Sequence, residues 1–350
     1  MKQLSCLVLI LFFNISFGQK DKTDPYFLET RDTISTRGPA CITRHILEDK
    51  KGNIWLATWQ GIIKYDGKVF TNYTLKDKLI HFHVYSLMED KSGNIWIGTV
   101  RGGAYKYDGK SFTHFTTDNG LPDDLIDCMM EDKTGNIWFG TDGGISKFDT
   151  SATRTIKPKT SLVTFADVSP YKKGFTNYNV NNGLCGDRVN SMMQDKSGKI
   201  WIATRTGVSV YDSETFSHFM LSENKPFTNV RCVKEDKNGK IWIGGMEGLY
   251  CYDPSKTGEA ALTKLMPNFI GYINEDKAGN LWLSAGEDKG MALYKYDGKS
   301  LTKIIEKKDN GDSQVFESVE DKKGNIWFGT MRGPCLYDGK TFTYFTYIKK

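Results

Sequence analysis

Residues 89 to 94, Glu-Asp-Lys-Ser-Gly-Asn, put two carboxylates and an amide close together, enough oxygen to suggest a hard-cation loop. Two further groupings could do chemistry. His81 and His83 form an H-x-H pair suited to a transition metal, and Asp123, Asp124 and Asp142 could supply the two carboxyls of a hydrolase. Each meets an objection in its own neighbourhood. A calcium loop alternates about five oxygen donors and ends on a distal Glu, whereas here Lys91 sits in the middle and no such tail follows. No third ligand is fixed for the histidine pair, so both remain weak metal candidates. Adjacent aspartates commonly cap a loop. A hairpin with Asp capping the turn and Gly-Asn in left-handed positions is the simpler account of residues 89 to 94.

The elements that must position these residues are repeats. The Trp following the acidic hairpin recurs as Trp55, Trp96, Trp138, Trp201, Trp242, Trp282 and Trp327, and only Trp59 falls outside the series. A period near 41 residues marks a stacked or radial architecture. Each copy reads as four short strands, for example VYSLMED, IWIGT, AYKYD and SFTHFT between residues 84 and 116. Asp-Gly in YDGK signals a hairpin whose two central residues take φ > 0. Four strands repeated seven times predict an all-β, seven-bladed β-propeller with four antiparallel strands per blade.

The boundaries follow from composition. Residues 1 to 18, with Lys2, an apolar run from Leu4 to Phe13, and the small residues Ser16 and Gly18, predict a secretory signal peptide. Residues 19 to 40 form an N-terminal arm, in which YFLET (26 to 30) resembles an extra strand across the ring closure. The propeller occupies 41 to 350, with a loop insertion at 150 to 174 inside blade three. The apolar run is too short for a bilayer span, so an exported, periplasmic or extracellular monomer without membrane insertion is expected. The formal charge of +5 is spread through the turns without a basic stripe, which argues against nucleic acid. Cys41, Cys128, Cys185, Cys232, Cys251 and Cys335 lack metal spacing and read as free thiols, with Cys128 and Cys232 in a slot that other copies fill with Ser86 and Ser191.

With the first strand innermost, the acidic and YDGK hairpins share one face and barely vary. The opposite face carries the turns between second and third strands, presenting Trp59, Arg101, Asp142, Arg205, Glu247, Glu287 and Arg332. The links between blades add His81, His83, Asp123, Asp124, Arg188, Lys225 and Asp312 to that face. Variation on a fixed scaffold is where binding sites are built. A second varied set lies on the innermost strands, four residues before each hairpin's first position: Arg44, Tyr85, Asp127, Asn190, Arg231, Gly271 and Phe316. Arg, aromatic and carboxylate together suit a sugar, through stacking and charge-assisted hydrogen bonds. No cofactor is implied.

The combination NGLPDD…MMEDKTGNIWFGTDGGISKFD (119 to 149), with GNIWxGT and YDG pairs throughout, resembles the two-component-regulator propeller repeat. That resemblance implies the exported sensor half of hybrid histidine kinases, often in bacteria that degrade polysaccharides. It implies a non-catalytic module whose partner is an oligosaccharide or an envelope protein, with a separate sensor kinase as a further partner. An alternative is a lyase or hydrolase, because streptogramin B lyases have similar G-x-I-W-F repeats and use His and Glu around a channel metal. Of the histidines, His45, His81, His83, His114 and His218, the pair His114 and His218 occupies an outer-strand slot and reads as structural. A structural component of an envelope assembly is the third alternative.

Overall fold

The second strand of each blade shows why the fold must be a ring. IWLAT, IWIGT, IWFGT, IWIAT and IWIGG are buried at every position, on both faces of the sheet. A sheet with two apolar faces needs cover on each side, and the neighbouring blades provide it. The computed structural model describes residues 33–76, 79, 83–153, 174–288, 290–304 and 314–345. Within them lie seven antiparallel sheets, each built on the expected four-strand meander, with a short fifth strand added at the outer edge of blades one and four. The innermost strands are Thr43–Glu48, Val84–Glu89, Ile126–Glu131, Val189–Gln194, Val230–Glu235, Ile270–Glu275 and Val315–Glu320. Each contacts the next, and the last contacts the first, so they line a closed channel.

Seven apolar clusters fill the spaces between blades. One joins Trp55 and Ile62 of blade one to Ile95, Ile97 and Tyr105 of blade two. Another joins Trp327 of blade seven to Ile54 and Phe70 of blade one. Truncating one of these buried aromatics should cost on the order of 3–5 kcal/mol.

The acidic hairpins form a continuous polar ring. In every blade the hairpin Asp accepts the indole N–H of its own Trp at 2.8–3.0 Å, as in Asp132 with Trp138. Burial alone would raise the Asp132 carboxyl, but bonds from Trp138, Thr134 and Asn136 hold it down at about 2. The Lys following each Asp serves the next blade. Its backbone N–H donates to that blade's Glu or Gln at 2.6–3.0 Å. Its ammonium donates to turn carbonyls of the same neighbour, as Lys91 does to Asp132 and Lys133. The ring closes where Lys322 meets Glu48, Asp49 and Lys50. Every member of the Glu-Asp-Lys triplet therefore has a structural partner.

Both hairpins differ in detail from expectation. In YDGK only the glycine is left-handed (Gly67, φ 94°), and Asp66 bonds Val69, so the turn centres on Gly67–Lys68. Glycine first is the type II′ pattern, and the Asp66 carboxylate accepts the N–H groups of Lys68 and Val69 instead of bending the chain. In the acidic hairpin Gly93 alone is left-handed, while the Asn94 amide donates to Asp90.

The arm lies on the closure. Ile34–Ser35 adds a fifth strand outside Phe70–Asn72 of blade one, and Gly38 donates to the Phe345 carbonyl at 2.7 Å. Phe345 stacks on Trp327 of blade seven, with centroids 4.9 Å apart. The arm thus bridges the first and last blades through residues 33 to 38, whereas YFLET lies outside the described residues. The third and fourth strands of blade three pair Phe148 with Phe175 on either side of the insertion, whose residues 154–173 are also outside them. The six cysteines from Cys41 to Cys335 are free. No helix among the described residues is long and apolar enough to cross a membrane.

Candidate functional site

The innermost strands share one irregularity. In six blades the pairing with the second strand slips just after the first residue, between Thr43 and His45, Val84 and Ser86, Ile126 and Cys128, and so on around the ring. In blade seven the slip spans Phe316 and Glu317. A β-bulge leaves one residue outside the ladder and re-aims its side chain. The bulged residues are Arg44, Tyr85, Asp127, Asn190, Arg231 and Gly271, the varied slot of the sequence. With Phe316 they line one cavity of about 490 Å³ in the channel.

The chemistry of this lining is mixed and loosely committed. The Arg44 guanidinium lies 4.2 Å from the centroid of the Tyr85 ring. Arg231 donates to the Asn190 amide oxygen at 3.2 Å, and the Asn190 amide donates to the Val230 carbonyl. Burial pushes the Asp127 carboxyl above the usual range; Arg44 and Arg188 offset this, Asp142 adds to it, and Arg231 offsets it further, yet the net direction is up. Burial lowers the Arg231 proton affinity, and the charge of Arg44 adds to the effect.

One residue further along each innermost strand lies a feature that sequence reasoning missed. Ser86, Cys128 and Cys232 face glycines of the second strand, where a Cβ would come within 2.2–2.7 Å of their side chains. The corresponding residues of blades six, seven and one are Tyr272, Glu317 and His45. The Tyr272 hydroxyl donates to Glu317 Oε1, and His45 Nε2 lies 2.9 Å from the same oxygen. Leu87 N–H donates to His45 Nδ1, which leaves the imidazole proton on Nε2, facing the carboxylate. Burial, reinforced by Glu317, raises the Tyr272 hydroxyl well above its usual value, so it remains a donor. The signal was available: three adjacent copies break a Ser/Cys slot with titratable residues.

The residues of the turns between second and third strands do not line this cavity. Arg101, Arg205 and Arg332 are exposed on the rim. Trp59 stacks on His83 at 4.9 Å, and Glu247 accepts the Thr228 N–H at 3.1 Å. Asp142 pairs with Arg188 at 3.0 Å. Glu287 pairs with Lys303 at 2.7 Å. The aspartate pair is engaged in its loop, with Asp123 accepting Leu125 N–H and Asp124 accepting Thr117 N–H. His114 and His218 bond the carbonyls of Gly102 and Gly183, and His114 also stacks on Tyr105. Burial lowers the His83 proton affinity. His81 and Asp312 lie outside the described residues. Among those that are described, no three His, Cys, Asp or Glu side chains gather as a metal-binding group.

Comparison with known proteins fits this geometry. The model of the family described as two component regulator propeller matches residues 38–60, 83–101, 120–143, 183–206 and 224–247, one match in each of blades one to five. No curated protein matches the sequence. Among solved structures, the chain is similar to the extracellular domain of a putative hybrid two component system from B. thetaiotaomicron. That match has 22% identity and a TM-score of 0.67, covering 88% of this chain and 41% of the other. It is similar to virginiamycin B lyase from Staphylococcus aureus, with 12% identity, a TM-score of 0.61, and coverage of 86% and 97%. It is also similar to PorZ, a surface component of the type-IX secretion system of Porphyromonas gingivalis, with 15% identity, a TM-score of 0.57, and coverage of 82% and 45%. At these identities the likeness is one of fold, and the chain spans about two-fifths of that extracellular domain. With five blades matched individually and seven built alike, the chain belongs to the two component regulator propeller family.

Proposed function

We propose that this propeller is an exported, non-catalytic recognition module that takes an oligosaccharide into its central cavity. The observation that carries the reading is the ring of bulges, which turns a varied position of each innermost strand toward a single space. A cavity of about 490 Å³ falls in the range of ligand sites, roughly 300–1,000 Å³. Aromatic rings, guanidinium groups and a carboxylate supply stacking faces, donors and acceptors for hydroxyl groups. The extracellular sensor domains of similar fold support a place outside the cytoplasm, and a separate kinase or envelope protein would read the bound state from the rim. Thermal-shift measurement against an oligosaccharide panel tests the reading. A rise in melting temperature that Gly271→Phe abolishes is expected, because a phenyl group there would project from a cavity-lining position. No shift with any oligosaccharide would sink it.

A further inference from the structure

Arg44 and Arg231 project from blades one and five into the same cavity. Each guanidinium carries five N–H donors and accepts nothing. Among the described residues, the Arg44 guanidinium lies over the Tyr85 ring and its N–H groups have no hydrogen-bond partner. Arg231 commits one nitrogen to Asn190. Asp127 is the carboxylate whose charge both arginines feel, yet it forms no hydrogen bond with either. Burial leaves it proton-seeking in spite of the arginines, as expected of a carboxylate held near them but not paired. Arg188, a third cation, is engaged at the mouth by Asp142. Glu317 is occupied on Oε1 by Tyr272 and His45.

The cavity lining therefore includes two mutually repelling, partly buried guanidinium groups with uncommitted N–H donors, and a carboxylate, Asp127, that bonds to neither of them. A neutral ligand would leave that repulsion in place. A ligand carboxylate between the guanidinium groups would relieve it and gain charge-assisted, bidentate bonds. Asp127 would then accept hydroxyls, and the rings of Tyr85, Phe269 and Phe316 would cover a sugar face. Resting on the reading that the cavity is the ligand site, we infer that its ligand is an acidic sugar, whose carboxylate docks between Arg44 and Arg231.

The test is calorimetric titration of the full chain with disaccharides of galacturonate, glucuronate and mannuronate, each against its neutral counterpart. At least one acid should bind roughly tenfold or more tighter than its counterpart, the scale of one charge-assisted hydrogen-bonded pair. Arg231→Met should weaken the acid far more than its neutral counterpart and so erase that preference, and Asp127→Asn should tighten the acid. Arg44→Met serves as the second variant if Arg231→Met loses the wild-type circular dichroism. The inference is overturned if no acid outbinds its counterpart, or if the arginine variants weaken acid and neutral sugar alike. It is also overturned if a peptide with a free C-terminal carboxylate binds where no sugar does. A sugar that binds Gly271→Phe as tightly as wild type would instead refute the cavity reading itself, placing the site elsewhere.

Discussion

At one end of the ring, where the acidic hairpins meet, each hairpin carboxylate has defined donors and each of the seven lysines crosses to the next blade. In the channel, Asp127 and the edge of Arg44 have no hydrogen-bond partner among the described residues. Both regions are built from polar residues at fixed repeat positions. They differ in completeness. A satisfied network adds stability and specifies geometry, while an unsatisfied one costs stability unless a ligand completes it. The hairpins therefore act as frame and the bulges as receptor.

The sharpest way to break this contrast is to exchange Asp for Ala in each region. Asp132→Ala strands the Trp138 indole N–H and the Asn136 amide, and should cost about 3 kcal/mol in urea unfolding. Asp127→Ala should change stability by no more than about 1 kcal/mol, because it orphans no buried donor. Equal losses would erase the distinction.

Acid should separate the regions next. The folded Asp132 carboxyl, at about 2, is depressed, so its stabilisation is complete above the ordinary aspartate value and fades as pH falls toward 2. Asp127 has the opposite sign: its cost is present at neutral pH and is relieved as pH falls through its raised value. Asp127→Asn should therefore melt higher than wild type at pH 7, with the gap closing under acid. A gap that widened instead would show that Asp127 is paired.

Smaller effects sharpen the contrast. Lys91→Met removes two bonds to carbonyls of blade three and should cost about 1 kcal/mol, read as a lower urea midpoint at constant slope. On the varied rim, Arg101 is exposed with φ 62°, so Arg101→Gly should stabilise by about 0.5 kcal/mol through relief of backbone strain. A loss there would mean that the side chain holds a neighbour.

How much of this was legible follows from how each signal is written. Seven tryptophans at regular steps specify seven blades, because a period survives without knowledge of contacts. The slot from Arg44 to Phe316 was visible because it varies where a core position would not. That a bulge turns it inward was not visible, since a register slip leaves no residue signature. The ring from Lys to the next blade's Glu was hidden by its own constancy: partners lie about 40 residues apart, and each phrase looks complete in itself. The His45–Glu317–Tyr272 cluster needs ring closure to bring the first blade against the last, which no local window contains. The rim set stands apart from the cavity lining: Trp59, Asp142, Glu247 and Arg332 lie on turns where each meets a neighbour of its own.

The joint between blades has a consequence for how the copies can change. Glu131 answers to Lys91 of the preceding copy, and its own Lys133 answers to Gln194 of the following one. A substitution in one phrase is therefore compensated, if at all, in an adjacent copy, and drift in any single repeat is checked by two others. Gln194 shows what the joint tolerates: its amide oxygen still accepts Lys133 N–H at 2.7 Å, and its nitrogen turns to Gly198. The requirement is for an acceptor and not for a charge, so second-site suppressors of a damaged hairpin should map one period away along the chain.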